Sequence, residues 1–433
     1  MIFIFKSKKL NKIEKFISFL FIITPLLLIT GPFLSDLAVV ICSIYYIFNI
    51  KKINLLKDYH FLIGLFIIFY LVVLFNSFRF EYYMESIKSF TFYFRFLLFT
   101  LVISHLISKE RKIIDDFFNI GLTAIFLVFL TGFIEFIFIR YDYLQNLVQF
   151  YDKREALLAT PYRIGGLFGD EKIMGGYISK IFPVVFGSFF IKFSYKNDNK
   201  NKFILAIFGF ISFFTIIISG DRAPLVIFIF TLFLIFCFVT NLRKLILVSG
   251  VVTLLLGSTL IFLDPIIKER TINQTYRSIS GGYNDNKLTL ISKSYEGHYK
   301  AALIIFNEYP YFGSGIKGFR NQCFDNHIDK GGVICTTHPH NTYLQFLSET
   351  GLFGFVILVG LFFYLFYKII CIYLINRKNI SEYYGDAKII FLIHIFMFIW
   401  PLTTSGSFFN NYNSIFYTLP IILLLSANRI KKN

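Results

Sequence analysis

The stretch Thr337-His338-Pro339-His340-Asn341-Thr342-Tyr343-Leu344-Gln345 sets two histidines just before what reads as a helix start. Thr342 and Gln345 have the types and spacing of a capping box, so the chain is expected to turn helical at Thr342 and run on into an apolar span. His340 would then lie at the positive end of that helix, where exposed backbone N–H groups attract anions. The same positive end disfavours imidazolium and would keep His340 neutral and able to take a proton. A lone loop histidine more often just hydrogen-bonds its loop, so the chemical reading of His338 and His340 needs other groups beside them.

Arginines could be those groups. A phosphate-bearing group near a neutral base would want cationic partners, and arginine holds phosphate oxygens in a bidentate fork. Arg222 follows Ser219-Gly220-Asp221 and begins an apolar run; its bland reading is snorkelling or a local pair with Asp221. Arg163 opens the stretch Arg163-Ile164-Gly165-Gly166-Leu167-Phe168-Gly169-Asp170-Glu171, and its bland reading is a solvated loop residue. Lys300, His298 and Arg320 are weaker candidates. Residues 296–308 have helical spacing through Ala302, Ile305 and Phe306 and are stopped by Tyr309-Pro310. A glycine-punctuated turn, Tyr311-Phe312-Gly313-Ser314-Gly315-Ile316-Lys317-Gly318-Phe319-Arg320, follows.

A membrane must position all of these. The 433 residues are 56% hydrophobic and 20% aromatic, with a mean hydropathy of +0.65, which no soluble domain shows. Many runs exceed the ~18 apolar residues that span a bilayer. An all-α polytopic fold is expected, with helices over about 16–34, 36–50, 60–78, 89–108, 117–139, 172–194, 203–219, 224–241, 245–263, 351–375, 387–404 and 413–428. Nine spans would fill 1–263, one long polar loop 264–350, and three more spans 351–433. The net charge of +17, from 43 basic and 26 acidic residues, would suggest nucleic acid in a soluble chain. Here the basic residues gather at span ends, including Lys51, Lys52, Lys109, Arg111, Arg243, Arg377 and Arg429, all on one side. That side reads as cytoplasmic, with both termini on it, and nucleic acid is not an expected partner. The basic N-terminus runs into a span without a small-residue cleavage site, so the first helix is expected to serve as signal anchor. The opposite side carries 140–171, Ser219–Arg222, the long loop and 405–412. Any chemistry therefore faces outward, where ATP and nucleotide sugars are absent.

Cys42, Cys237 and Cys371 fall in spans and read as packing, whereas Cys323 and Cys335 share the outward loop. An oxidising compartment favours pairing them, and closing a loop of roughly 13 residues would contribute ~3 kcal/mol in the chain-entropy model. Two free thiols or a metal pair is the alternative, although no spacing here makes a convincing metal site.

His340-Asn341, nine residues, then Gly351-Leu352-Phe353-Gly354 resembles a motif of the O-antigen ligase/polymerase superfamily of bacterial envelope glycosyltransferases. Some ligases follow it with two threonines; Phe355-Val356 stand here instead. Asn307-Glu308-Tyr309-Pro310-Tyr311-Phe312-Gly313-Ser314-Gly315, the Arg163–Glu171 stretch and Ser219–Arg222 also resemble family segments, so the likeness spans about 160–360. The resemblance implies a GT-C-like membrane enzyme that takes a glycan from undecaprenyl diphosphate on the periplasmic face of the inner membrane. The acceptor would be lipid A–core (ligase), a growing glycan (polymerase) or a protein hydroxyl. It implies no cofactor and no metal, membrane lipids as surroundings and room for a chain-length regulator. Carried onto this chain, His340 is the candidate base, Arg222 the diphosphate-binding arginine and Arg163 a second, with His338, Asn341, Lys300 and Arg320 as lesser candidates. Asp170 and Glu171 stand where many relatives have a Pro-Asn type pair and receive no family role. Direct displacement with inversion is expected, since the outward loops offer no close carboxylate pair for a retaining route.

Ligase and polymerase share these features; the His-Asn…Gly-x-x-Gly match favours ligase and the missing threonines weaken it. A twelve-span transporter would place polar groups near the bilayer midplane. The spans here read as nearly uncharged apart from Arg95 and Glu135, and no internal repeat is evident.

Overall fold

The computed structural model describes residues 3–50, 60–78, 83–140, 163–193, 199–279, 293–325, 333–378 and 383–430. Every regular element among them is helical. Each expected span finds a helix, but prolines reshape the first two. The stretch 16–34 breaks into Lys12–Ile22 and a single turn at Thr24–Leu27, and the next helix, Pro32–Phe48, starts earlier than expected. Pro25 and Pro32 each sit in the first turn of a helix, where the missing N–H is harmless; deeper in a helix it would not be. The fourth span is likewise divided, into Tyr83–Phe90 and Arg95–Lys109.

Among the described residues six helices are long and apolar enough to cross a bilayer, and Pro32–Phe48, Ile63–Ser77 and Arg222–Phe238 are apolar but shorter; twelve spans are expected from the sequence. The chain is thus an all-helical, polytopic membrane protein. Its packing has a clear centre. The helix Met174–Lys192 is 89% buried, packed between Lys112–Arg140, Asn199–Ser219 and Tyr383–Phe398. Thr240–Leu263 is 6% buried and Thr342–Asn376 only 17%, so their apolar surfaces are left for lipid. In the centre, Phe182 stacks on Phe208 at 4.9 Å and tilts against Phe228 at 4.8 Å, the offset geometry aromatic rings prefer.

The charges inside spans are more numerous than Arg95 and Glu135. Arg95 forks onto Asp36, at 2.9 and 3.2 Å, and Glu135 accepts the backbone N–H groups of Gly165 and Gly166, at 3.4 and 2.6 Å. Asp36 itself, and Lys180 two turns inside the central helix, also stand within helices and correct the nearly uncharged reading.

The long loop carries its own helices: Pro265–Lys268, a π-turn at Glu269–Asn273, Gln274–Ile279, Lys293–Glu308 and Gly318–Asp325. The expected 296–308 helix begins three residues early and ends at Glu308, before Pro310. Ala301, Ala302, Ile305, Phe319, Cys323 and Val333 form a small separate core. A disulfide joins Cys323 to Cys335, with Cα atoms 5.5 Å apart. Residues 326–332 between them, like 140–162 apart from the helix end Arg140, lie outside the described residues.

One interlock fastens this loop to the membrane helix that follows. The element Thr342–Lys378 kinks at Gly351, where φ is 63°. Ser314 and Gly315 donate backbone N–H groups to the carbonyls of Ser348 and Glu349, while Leu352 and Phe353 donate back to Pro310 and Tyr311. A Cβ on Gly351 would overlap the Tyr311 backbone, and one on Gly313, where φ is 72°, would overlap that of Glu349. Gly313, which the sequence reads as a turn residue, and the motif glycine Gly351 are therefore a backbone-to-backbone contact.

Candidate active site

A single cleft of about 2020 Å³ gathers most of the predicted groups. Its walls carry Arg163, Arg222, Arg320 and His338 together with Arg270, which the sequence did not single out. Lys300 is exposed and is not on the wall.

The helix that should present the histidines does start at Thr342, but its cap differs from expectation. Asn341 is the N-cap: its Oδ1 accepts the N–H groups of Tyr343 and Leu344 at 2.9 and 3.1 Å, and its Nδ2 donates to the Pro401 carbonyl. Asparagine outranks threonine as an N-cap, so Thr342 becomes the first helical residue and turns its hydroxyl to Ser405. Gln345 reaches Glu349, Ser407 and the Phe408 N–H instead of closing a box. The donors an anion would need at this helix end are already taken. Asn341 thus serves as the cap of this helix.

The histidines form a cluster. The rings of His338 and His340 are 4.2 Å apart, and His298 lies 5.4 Å from His340. His340 adopts φ 56°, which lets its carbonyl accept the Ser405 N–H at 2.8 Å. His298 Nδ1 meets the Ile334 carbonyl at 2.8 Å; a carbonyl only accepts, so the proton is on Nδ1. His338 lines the cleft whereas His340 backs onto it through His338. Nε2 of His338 is buried without a hydrogen-bond partner, while its Nδ1 is 2.9 Å from the Thr337 hydroxyl. Burial, and then the charge His340 would carry, push His338 down to about 4. Burial and then His298 also lower His340. Both rings are therefore neutral at neutral pH, through burial and mutual proximity, not through the capped helix end.

The arginines form the second cluster. Arg222 begins the helix Arg222–Phe238, and its Nη1 donates to the hydroxyls of Thr275 and Ser278 at 3.3 and 3.2 Å. Arg270 donates from Nε to the Gly220 carbonyl at 3.1 Å and from Nη1 to Gln274. Burial and then the nearby charges of Arg222 and Arg163 depress Arg270, while Asp221 pulls the other way. Arg163 is the committed member: Nη2 meets Asp221 Oδ1 at 2.5 Å and also donates to the Lys172 carbonyl, and Nε is buried and unpartnered. The local pair of Asp221 with Arg222, the bland alternative in the sequence, gives way to this one across 58 residues. Gly175 donates its N–H to Asp221 Oδ2 at 3.1 Å, and a Cβ there would overlap Ser219 and Asp221. Ile164 N–H meets the Ser219 carbonyl at 3.2 Å, so the Arg163 and Arg222 segments are stitched together. Three guanidiniums share one carboxylate, which leaves a strongly positive pocket at the end of the Arg222 helix.

Arg270 was invisible in the sequence because Lys268-Glu269-Arg270 looks like any charged loop start; the π-turn is what aims it. Tyr295 and Tyr299 join the wall from the helix Lys293–Glu308. Among the described residues no three His, Cys, Asp or Glu side chains cluster closely enough to hold a metal ion.

No curated protein matches the chain. Residues 207–359 match a family model described as O-antigen ligase, a segment that runs from the helix before Arg222, through Arg270, His338 and His340, to just past the Gly351 kink. Over that segment, about a third of the chain and set in an all-helical membrane architecture, the protein is similar to the O-antigen ligase family.

Proposed function

We propose that this protein transfers a glycan from undecaprenyl diphosphate to an acceptor hydroxyl on the periplasmic face of the bacterial inner membrane, as an O-antigen ligase with lipid A–core as acceptor. The observation that carries this reading is the meeting, in one cleft, of a neutral histidine cluster and an arginine cluster with excess positive charge. The acceptor oxygen attacks the anomeric carbon as its proton passes to the histidine pair. The bond from that carbon to the diphosphate oxygen breaks, and the carrier diphosphate leaves with its charge spread over Arg222 and Arg270, with inversion. Motif and geometry divide the base role: His340 carries the family pattern, and His338, whose ring lies 4.2 Å from that of His340, lines the cleft. General-base action of this kind contributes roughly 10²–10⁴ in rate. No metal ion is assigned a step, and EDTA is expected to leave transfer unchanged.

The polymerase reading rests on Phe355-Val356, where some ligases have two threonines. One experiment separates the two. Arg222→Ala and His340→Ala are introduced into a strain carrying only this gene, membrane levels are matched, and lipopolysaccharide is run on a gel. Collapse to bare core, with polymerised glycan left on the carrier, supports the ligase. Core bearing one repeat unit would make it a polymerase, and an unchanged ladder in both variants would remove the catalytic assignment.

A further inference from the structure

The cleft holds a cation that the arginine and histidine clusters leave unused. Lys180 lies in the central helix Met174–Lys192 and lines the cleft. Its Nζ donates to Asn413 Oδ1 at 2.7 Å and rests against the rings of Phe416 and Phe398, at 5.3 and 5.6 Å from their centroids. Asn413 is held for this role: its Nδ2 donates to the Ser407 carbonyl at 2.9 Å, which fixes Oδ1 toward the lysine. Among the described residues no carboxylate lies within ion-pairing distance of Nζ. An ammonium has three donors, and among the described residues one is taken, by Asn413. Aromatic faces steady a cation without neutralising it. The other cation inside this part of the bundle, Arg95, has its carboxylate in Asp36.

The surroundings indicate what the free donors face. The segment before the last helix brings Thr403, Thr404, Asn410 and Asn411 to the same cleft, a set of hydroxyls and amides suited to sugar hydroxyls. The hydroxyl of Tyr412 is buried there without a hydrogen-bond partner. Lys180 is five residues along the helix from Gly175, which contacts Asp221, so it lies about 7–8 Å further along the axis than the arginine cluster. We propose that Lys180, with Tyr412 and the 403–413 segment, forms a second anion subsite that receives an acidic sugar residue, one bearing a carboxylate or a phosphate monoester. The sugar part of this assignment rests on the glycosyltransferase reading; the anion part rests on the uncompensated ammonium alone.

The test uses the full-length chain in detergent micelles with Arg222→Ala and Arg270→Ala, so that the arginine cluster contributes little. Methyl α-D-galacturonoside, galactose 6-phosphate and the neutral methyl α-D-galactoside are titrated calorimetrically. At least one anionic sugar should bind ten-fold or more tightly than the neutral one, and the tighter of the two identifies carboxylate or phosphate as the source. Lys180→Met should abolish that preference and Lys180→Arg should keep it, with the thermal midpoint of each variant checked for folding. Equal binding of the neutral sugar, no binding of either anionic sugar, or a preference that survives Lys180→Met would overturn the subsite. A lipopolysaccharide ladder left unchanged by both Arg222→Ala and His340→Ala would instead remove the catalytic assignment, and leaves lysine-dependent anion binding as a separate result.

Discussion

Arg222 and Arg163 look alike in the sequence, yet the structure predicts opposite consequences for removing them. Among the described residues the Arg222 guanidinium hydrogen-bonds the hydroxyls of Thr275 and Ser278, which can turn to water or to each other, so Arg222→Gln should fold normally. Its loss is felt when diphosphate charge develops. A charge-assisted hydrogen bond is worth about 1.5–3 kcal/mol, and a bidentate grip lies at the upper end, so transfer should fall by roughly 10²-fold. Arg163→Gln removes the 2.5 Å ion pair of Asp221, whose side chain is 7% exposed, and leaves it the Gly175 N–H and the more distant charge of Arg270. Breaking a buried pair costs about 3–5 kcal/mol; because Arg163 is itself 31% exposed, about 3 kcal/mol is the better figure. The assay is a pair of readings on each variant: thermal midpoint in detergent, and transfer per folded molecule in membranes. Arg222→Gln should lose transfer and keep its midpoint; Arg163→Gln should lose its midpoint and its abundance. The reasoning fails if Arg222→Gln transfers within three-fold of the parent, or if Arg163→Gln melts with it.

The histidines should behave as one unit: His338→Ala and His340→Ala each lower the transfer rate by roughly 10²-fold or more, and the double variant is little worse than either. Since the neutral ring is the base and burial holds His338 down to about 4, the rate should stay level through neutral pH and fall as protonation sets in near that value; a midpoint above 6 would refute the assignment. Gly351→Ala combines a φ of 63° with overlap of the Tyr311 backbone, and should cost about 2–4 kcal/mol in a denaturant or thermal melt. Cys335→Ser opens a loop of 12 residues' separation and should lower stability by about 3 kcal/mol, seen as an earlier thermal transition matched by the parent under reductant.

Hydrophobic runs made the helices legible, because a bilayer forces nearly every span to announce itself in composition. The breaks were less so: Pro25 and Pro32 sit inside one apolar stretch, and only their positions at helix starts show that it is two helices. Arg163, Arg222 and His338 could be named from residue type and motif. Their partners could not, since Asp221 chooses Arg163 over its neighbour for reasons of three-dimensional reach. The cap was misread for a local reason: Asn341 and Thr342 both have capping side chains, and the stronger one won. Lys180 was readable in principle, as a lone charge in a long apolar run, and so was Asp36 opposite Arg95. Arg270 was not, because its orientation comes from a π-turn that leaves no mark in composition.

The clasp between Gly313 and Gly351 makes the helix after His340 a lever. Its long arm lies in lipid almost bare of protein cover, and its short arm, from Thr342 to Thr350, carries the histidine segment at its tip. Because the kink is gripped by backbone on both sides, tilt of the long arm is expected to carry the tip with it. A hydrophobic helix tilts to match the thickness of its bilayer. Activity measured in vesicles of increasing acyl-chain length is therefore expected to vary with bilayer thickness, and a thickness-independent rate would show that the clasp does not act as a lever.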